Sequence, residues 1–336
     1  MARLVGKNFT ITPKITTFTA NGTFAADPMS TECHLLVIAG GGGSSHGGGG
    51  GGGFRELPAH PIPTSPVPVT VGAGGAGSPD ENARGSSGSD SVFGSATPIT
   101  SSGGGGAGGL AVGGDSEALN GGSGGGSGGN HPAHPGGGTG NSGSFDPPEG
   151  NDGGHGRYNG SSYYSGGGGG GAGGTGGNET PDGLGNDWNA IGGQGGLAKM
   201  STVSGSKTWY SGGGGAGYRF THELASTEGK INKGYLGGHT TGGGSIFPAQ
   251  KGGAGDSNHQ GAPSPTLGTG VANTGGGGGG VCSNQATPEH PADNDGTGAA
   301  GGSGVVIVSE PNINAGGIWD YKEVYHKRVA GVWLKN

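Results

Sequence analysis

The sequence predicts a mostly irregular, β-containing fold with very little α-helix. A small β frame, made from strands near the two ends of the chain, surrounds a glycine-rich bundle of polyproline II helices. Three observations predict this. Ninety-four of the 336 residues are glycine, and they fall in runs, whereas ordinary usage is about 7%. Hydrophobic residues make up only 28% and charged residues 12%, so apolar side chains are too sparse for two conventional cores. No apolar stripe of 3.6-residue period and useful length runs through the middle of the chain.

The first element is a strand region. Phe9–Ala20 alternates and is rich in β-branched residues, which reads as one or two strands. Asn21-Gly22 is a turn signal. Thr23-Phe24 and Glu32–Ala39 read as further strands. Leu35–Ile38 is a continuous apolar run, as expected of a strand buried on both faces. Pro61, Pro63, Pro66 and Pro68 set an extended, polyproline-like stretch. It leads into Val67–Val71, a strand that Pro68 demotes to a sheet edge. Asp90–Phe93 and Ile99–Ser102 are short strand-like pieces. From about residue 103 to 303, glycine runs alternate with polar loops. Gly304–Ser309 is again a buried-type strand, expected to pair with Leu35–Ile38. The residues thus divide into a β-rich frame with the first glycine runs (1–102), the glycine bundle with its loops (103–303), and a closing strand with an aromatic tail (304–336).

The glycine runs specify how the middle packs. Polyproline II has three residues per turn and no internal hydrogen bonds. In a bundle its N–H and C=O groups must therefore pair with neighbouring segments. Only glycine lets backbones come that close. Pure runs such as Gly47–Gly53 and Gly275–Gly280 are expected at the centre. Runs interrupted by serine, such as Gly121–Gly129, are expected on the outside. On the order of eight to ten short helices would result. Collagen is excluded, because the Gly-X-Y repeat is not kept and there are only 20 prolines.

Composition excludes several function classes. Sixteen Lys and Arg residues are scattered singly in a chain of net charge −7, so no basic patch points to nucleic acid. No apolar window approaches the ~20 residues of a membrane span. The first residues lack the apolar stretch of a secretory signal. With only two cysteines, Cys33 and Cys282, this suggests assembly in a reducing cytoplasm. Those cysteines are either a long-range disulfide or two unrelated thiols. The P-loop pattern fails at Gly205-Ser-Lys207-Thr208, where Met200 stands in place of the first glycine. His131, His134, His155, His222, His239, His259 and His290 are scattered, with no metal-ligand spacing. No metal or cofactor is expected. Carboxylates such as Asp146, Glu149, Asp152, Glu179, Asp182 and Asp187 show no recognisable catalytic pairing, so no enzyme activity is expected.

The aromatic residues carry the candidate recognition site. Tyr158, Tyr163, Tyr164, Trp188, Trp209, Tyr210, Tyr218 and Tyr235 concentrate in the segments that link glycine runs. Rigid Tyr and Trp among Ser, Gly and Asn is the composition of recognition loops. The alternative is that they cap and shield the ends of the bundle. A second group, Trp319, Tyr321, Tyr325 and Trp333, lies in the C-terminal tail and reads as a docking segment.

Five pieces in order carry a resemblance over about residues 17–308. They are Phe18-Thr-Ala-Asn-Gly-Thr-Phe24, Leu36-Val-Ile-Ala-Gly-Gly-Gly-Gly43, Val69-Thr-Val-Gly-Ala-Gly-Gly-Ala-Gly77, Ser91-Val-Phe-Gly94 and Gly301-Gly-Ser-Gly-Val-Val-Ile-Val308. Together they resemble the glycine-rich domains of tailed-bacteriophage tail fibres and receptor-binding adhesins. The segment Gly317–Trp333 is similar, more weakly, to C-terminal segments of phage structural proteins. The resemblance implies a virion protein of the phage tail, assembled in the bacterial cytoplasm, with a β frame around a polyproline II sandwich. Aromatic, polar loops on a rigid scaffold make residues 144–260 the expected contact with a host surface glycan or outer-membrane protein, and the aromatic tail is expected to dock to other tail or virion proteins. A homo-oligomer is left open. The chain departs from the pattern in its aromatic tail and in lacking a matching N-terminal fibre-docking domain. The rival expectation is a structural role, as a capsid or tail decoration or an assembly plug docked through that tail.

Overall fold

The computed structural model describes residues 12–63, 66–110, 114–129, 136–158, 164–181, 190–220, 268–281, 283–284 and 297–311. Among these residues the only helix is a single 3-10 turn, Gly114–Ser116. The remainder is strand or irregular, as the composition predicts.

The frame is two four-stranded antiparallel sheets. The first orders its strands β1 (Lys14–Phe18), β16 (Val305–Glu310), β3 (Glu32–Ile38) and β4 (Phe54–Pro61). The expected pairing of the two apolar runs is present: Val305 stands opposite Ile38 and Val308 opposite Leu35. Alternation then divides their side chains between two cores. Leu35, Val37, Val306 and Val308 face the second sheet and pack with Phe24, Val67, Val69 and Phe93. Leu36, Ile38, Val305 and Ile307 face the other way, against Phe54, Ala172, Val203 and Tyr210. This double burial is why the runs are apolar without interruption. β4 was not anticipated: as an edge strand with one solvated side it needs no apolar run.

The second sheet is ordered β2 (Gly22–Phe24), β5 (Val67–Thr70), β6 (Ser91–Phe93) and β7 (Ile99–Ser101). This corrects the edge assignment of Val67–Val71, because β5 has a partner on each side. Pro68 is tolerated there for a local reason. Its carbonyl accepts a hydrogen bond from the Gly94 N–H at 2.9 Å, so position 68 faces β6 just beyond its last residue, Phe93. The donor that proline lacks is missing only where the ladder is already ending.

Among the described residues the glycine runs form neither strand nor helix. Apart from Gly136 and Gly137 they are buried, and their hydrogen bonds go to other segments of the chain. Gly40 and Gly43 donate to Ser89 and Ser86; Gly41 and Ser44 donate to Gly302 and Ala299; Gly42 and Ser45 donate to Gly50 and Gly47. Each neighbour is met again after three residues, which is the repeat expected of polyproline II. Burial follows the same period. Gly72, Gly75 and Ser78 are buried, whereas Ala73 and Ala76 are exposed.

Run 47–53 lies at the centre, as expected. It donates to segments 102–108, 167–170 and 275–278, and it accepts from segments 39–45, 123–126 and from Gly214. Six neighbours around one backbone leave no room for a side chain. A Cβ on Gly49 would collide with the carbonyl of Gly42, and one on Gly50 with that of Ser123. The bundle also recruits more segments than eight to ten, because mixed stretches such as 72–78, 85–89, 150–156 and 297–304 take part alongside the pure runs.

Gly121–Gly129 is not on the outside. The whole run is buried, and Ser123 and Ser127 are both 0% exposed. Segments 136–141 and 150–156 cover it: Gly138 N–H donates to Gly125, and Gly124 N–H and Ser127 N–H bond to Asn151 and Gly154. The Ser127 hydroxyl accepts from Gly156 N–H at 2.7 Å. Serine here is a partner inside the bundle, not a sign of solvent.

Candidate functional site

The bundle has two ends. One abuts the frame, where segment 39–46 leaves β3 and segment 47–53 returns to β4. At the other end these segments are joined by a turn at Ser44–Gly47. Ser44 Oγ donates to Gly279 O at 2.7 Å and Ser45 Oγ to Ala83 O at 2.6 Å. His46 is fully buried, and its carbonyl accepts from Gly217 N–H at 2.8 Å. Glycine segments therefore converge on this turn, far from the frame.

A third sheet grows from that convergence. β8 (Arg157–Tyr158) continues segment 150–156, and β9 (Tyr164–Ser165) leads into segment 166–171. β14 (Tyr218–Phe220) continues segment 211–217, and β15 (Ser283–Asn284) follows segment 275–281. The order is β15-β14-β9-β8, with β15 parallel to β14. Tyr158, Tyr164 and Arg219 occupy directly opposed positions, as do Arg157, Ser165 and Tyr218. Tyr164 is half-buried. Beside this sheet, a short hairpin pairs β10 (Thr180–Pro181) with β11 (Ala190–Ile191). Arg157 Nη1 lies 3.6 Å from Glu179 Oε1.

Three of the candidate aromatics, Tyr158, Tyr164 and Tyr218, are thus brought into one sheet at the end opposite the frame. Trp209 and Tyr210 are not. They lie on β13 (Thr208–Tyr210), which pairs with β12 (Lys199–Ser201) and covers the frame's first sheet. Tyr210 is 4% exposed within the second core, so its role is packing. Trp209, one residue on, is half-buried on the outer face of the hairpin. Tyr163, Trp188 and Tyr235 lie outside the described residues, as do the tail aromatics Trp319, Tyr321, Tyr325 and Trp333. The sequence reading overlooked Arg157 and Arg219. The dipeptides Arg157-Tyr158 and Tyr218-Arg219 held the signal, since each places a cation beside a tyrosine.

The frame holds the more unusual polar chemistry. Glu56 Oε1 accepts from Ser201 Oγ at 2.6 Å and lies 2.9 Å from His34 Nε2. The carboxylate stands between hydroxyl and imidazole, so the imidazole does not face the serine as a general base would. Here Glu56 ties the β12–β13 hairpin to β4. Glu149 is 1% exposed at the junction of frame and bundle. Its Oε2 accepts from Ser102 N–H at 3.0 Å and Ser101 Oγ at 3.3 Å. Burial raises its pKa, and the Ser102 and Ser101 bonds and the nearby Arg55 only partly offset that. Arg55 stacks over the Phe145 ring at 4.0 Å. Cys33 carries a free thiol. Burial, with Glu310 and Glu32 nearby, pushes its pKa up to about 12; Cys282 is outside the described residues. No group of three or more His, Cys, Asp or Glu among the described residues is placed to hold a metal ion. No helix among them is long and apolar enough to cross a membrane.

A family model described as a glycine-rich domain matches residues 17–310. No curated protein matches the chain.

Proposed function

The chain belongs to the glycine-rich domain family, and on that scaffold we propose that it is a non-enzymatic adhesin of a bacteriophage tail fibre or tail tip. It contacts a host surface glycan or outer-membrane protein through the sheet at the far end of the bundle. One observation carries this reading. Tyr158, Tyr164 and Tyr218 stand in strands that continue the glycine segments directly, at the end opposite the frame that contains β1 and β16. Recognition residues held by a rigid scaffold lose little entropy on binding, and tyrosine gives large contact area from few rotatable bonds. The frame end is left for attachment to the rest of the virion.

Tyr158→Ala with Tyr164→Ala tests it in phage particles carrying the variant. Host adsorption is expected to fall about tenfold or more, the effect of losing a tyrosine hot spot, with particle yield and thermal stability unchanged. Wild-type adsorption by intact particles would overturn the reading.

A further inference from the structure

Residues 141–149 form a strap at the junction of frame and bundle. Both ends of the strap are fixed. Asn141 N–H and Ser142 N–H bond to the carbonyls of Gly122 and Gly121, and the Glu149 carbonyl accepts from Phe54 N–H at 2.9 Å. Between these ends Gly143, Ser144, Asp146, Pro147 and Pro148 are exposed. The Asn141 side chain steadies this tip, donating to the Phe145 carbonyl at 3.0 Å and accepting from Phe145 N–H at 3.1 Å. The Phe145 ring is covered by the Arg55 guanidinium, 4.0 Å from its centroid.

The Glu149 carboxyl at the foot of the strap is arranged as a neutral acid. Its Oε2 accepts from Ser102 N–H and Ser101 Oγ, as the carbonyl oxygen of a carboxylic acid would. Its Oε1 is buried and has no hydrogen-bond partner. An ionised carboxylate spreads its charge over both oxygens, and both then call for donors. Leaving one of them bare in a buried site is costly. A proton on Oε1 removes the charge, and burial favours the same neutral form.

The surroundings set what happens when that proton leaves. β7 and the residue after it offer the two serines already named. Run 121–129 offers Ser123, beside Gly150. The strap offers Asn141 and the exposed Asp146. β4 offers Arg55, whose positive field reaches the carboxyl. Arg55 is engaged elsewhere, however: Nη1 donates to Thr100 O at 3.0 Å, and its face covers Phe145. We propose that Glu149 and Arg55 form a proton-operated latch on the strap. With the proton in place, Arg55 covers Phe145 and the tip lies on the frame. When the proton passes to solvent, the bare Oε1 draws the guanidinium off the ring, because a charge-assisted hydrogen bond outweighs a cation–π contact near the surface. Phe145 loses its cover, and Asn141 alone steadies the tip. The strap is closed in acid and released towards alkaline pH. The latch does not depend on what the tyrosine sheet binds.

Fluorine NMR tests this in protein carrying 4-fluorophenylalanine at its 8 phenylalanine positions. The Phe145 signal is identified by its loss in Phe145→Leu. In wild type it is expected to shift in a single step as pH is raised from the ordinary carboxylate range, while the signal of Phe24, buried in the first core, stays in place and reports an intact fold. Glu149→Gln should abolish the step and hold the signal at its low-pH position. Arg55→Ala should abolish it too, with the signal at the wild-type high-pH position throughout. A wild-type Phe145 signal that stays put over the whole range in which the protein is folded would overturn the inference. So would a step that persists unchanged in Glu149→Gln or in Arg55→Ala.

Discussion

Glu149 is a carboxyl group placed where a chain this poor in side chains has little to offset its charge. Burial raises its pKa in the folded state above the ordinary value. The folded chain therefore holds a proton that the unfolded chain has already released. The stability this adds is fully present below the ordinary carboxylate pKa and is lost as pH rises through the folded value. Glu149→Gln removes the effect. The melting temperature of wild type relative to Glu149→Gln is therefore expected to decline as pH rises from the ordinary carboxylate range through the raised folded-state pKa. His60, whose pKa burial lowers, works in the opposite direction but is common to both proteins and cancels. A pH-independent difference would contradict the assignment. Tyr210 and Trp209 give a second contrast at this scale. Tyr210→Ala empties part of the second core and should cost about 3 kcal/mol. Trp209→Ala should cost well under half of that, as measured by denaturant unfolding.

At the scale of elements, the bundle is held mainly by backbone bonds between segments that lie too close for a side chain at most of their glycines. A Cβ on Gly278 would meet the Ala299 carbonyl, a rigid backbone group. Gly278→Val is expected to destabilise by about 3 kcal/mol or more, at or above the upper range of core overpacking. Ala76→Val, on an exposed position of the same period, should change stability by no more than about 0.5 kcal/mol. Ser127→Val belongs with the first of these, because it also removes the acceptor for Gly156 N–H. Similar melting shifts for Gly278→Val and Ala76→Val would mean that close backbone packing does not hold the bundle. The centre of the bundle was legible in the sequence because uninterrupted runs such as Gly47–Gly53 admit no other use. Its outer boundary was not. Ser123 and Ser127 look like solvent-facing residues in a one-dimensional reading, and only the segments folded over them show otherwise. Likewise Leu35–Ile38 and Val305–Val308 announced a doubly buried pair, whereas β4 had no apolar run to betray it.

At the scale of the whole molecule, the aromatic residues read as one group along the chain are divided in space. The tyrosines of β8, β9 and β14 gather at the far end of the bundle, and Trp209 and Tyr210 stay at the frame. Sequence distance could not show this, because glycine segments run alternately away from and towards the frame, and each reversal changes which end a linker belongs to. One prediction belongs here. Ending the chain after Ser303 removes β16, the strand that links β1 to β3. The shortened chain is expected to lose cooperative melting altogether, although every glycine run remains. A truncated protein with a sharp thermal transition would show that the bundle folds without its frame.

The place of β16 in the first sheet also governs when folding can happen. β3 emerges from the ribosome early, but β16, its partner on one side, is encoded some 270 residues later, about 15–50 s at ordinary rates of synthesis. During that interval β3 can pair only with β4 on one of its edges, and the glycine runs have few of the neighbours that complete their hydrogen bonding. The same composition that denies the protein a large core leaves the incomplete chain few apolar side chains for non-specific association. Closure of the first sheet is thus postponed until Val305–Glu310 has been made.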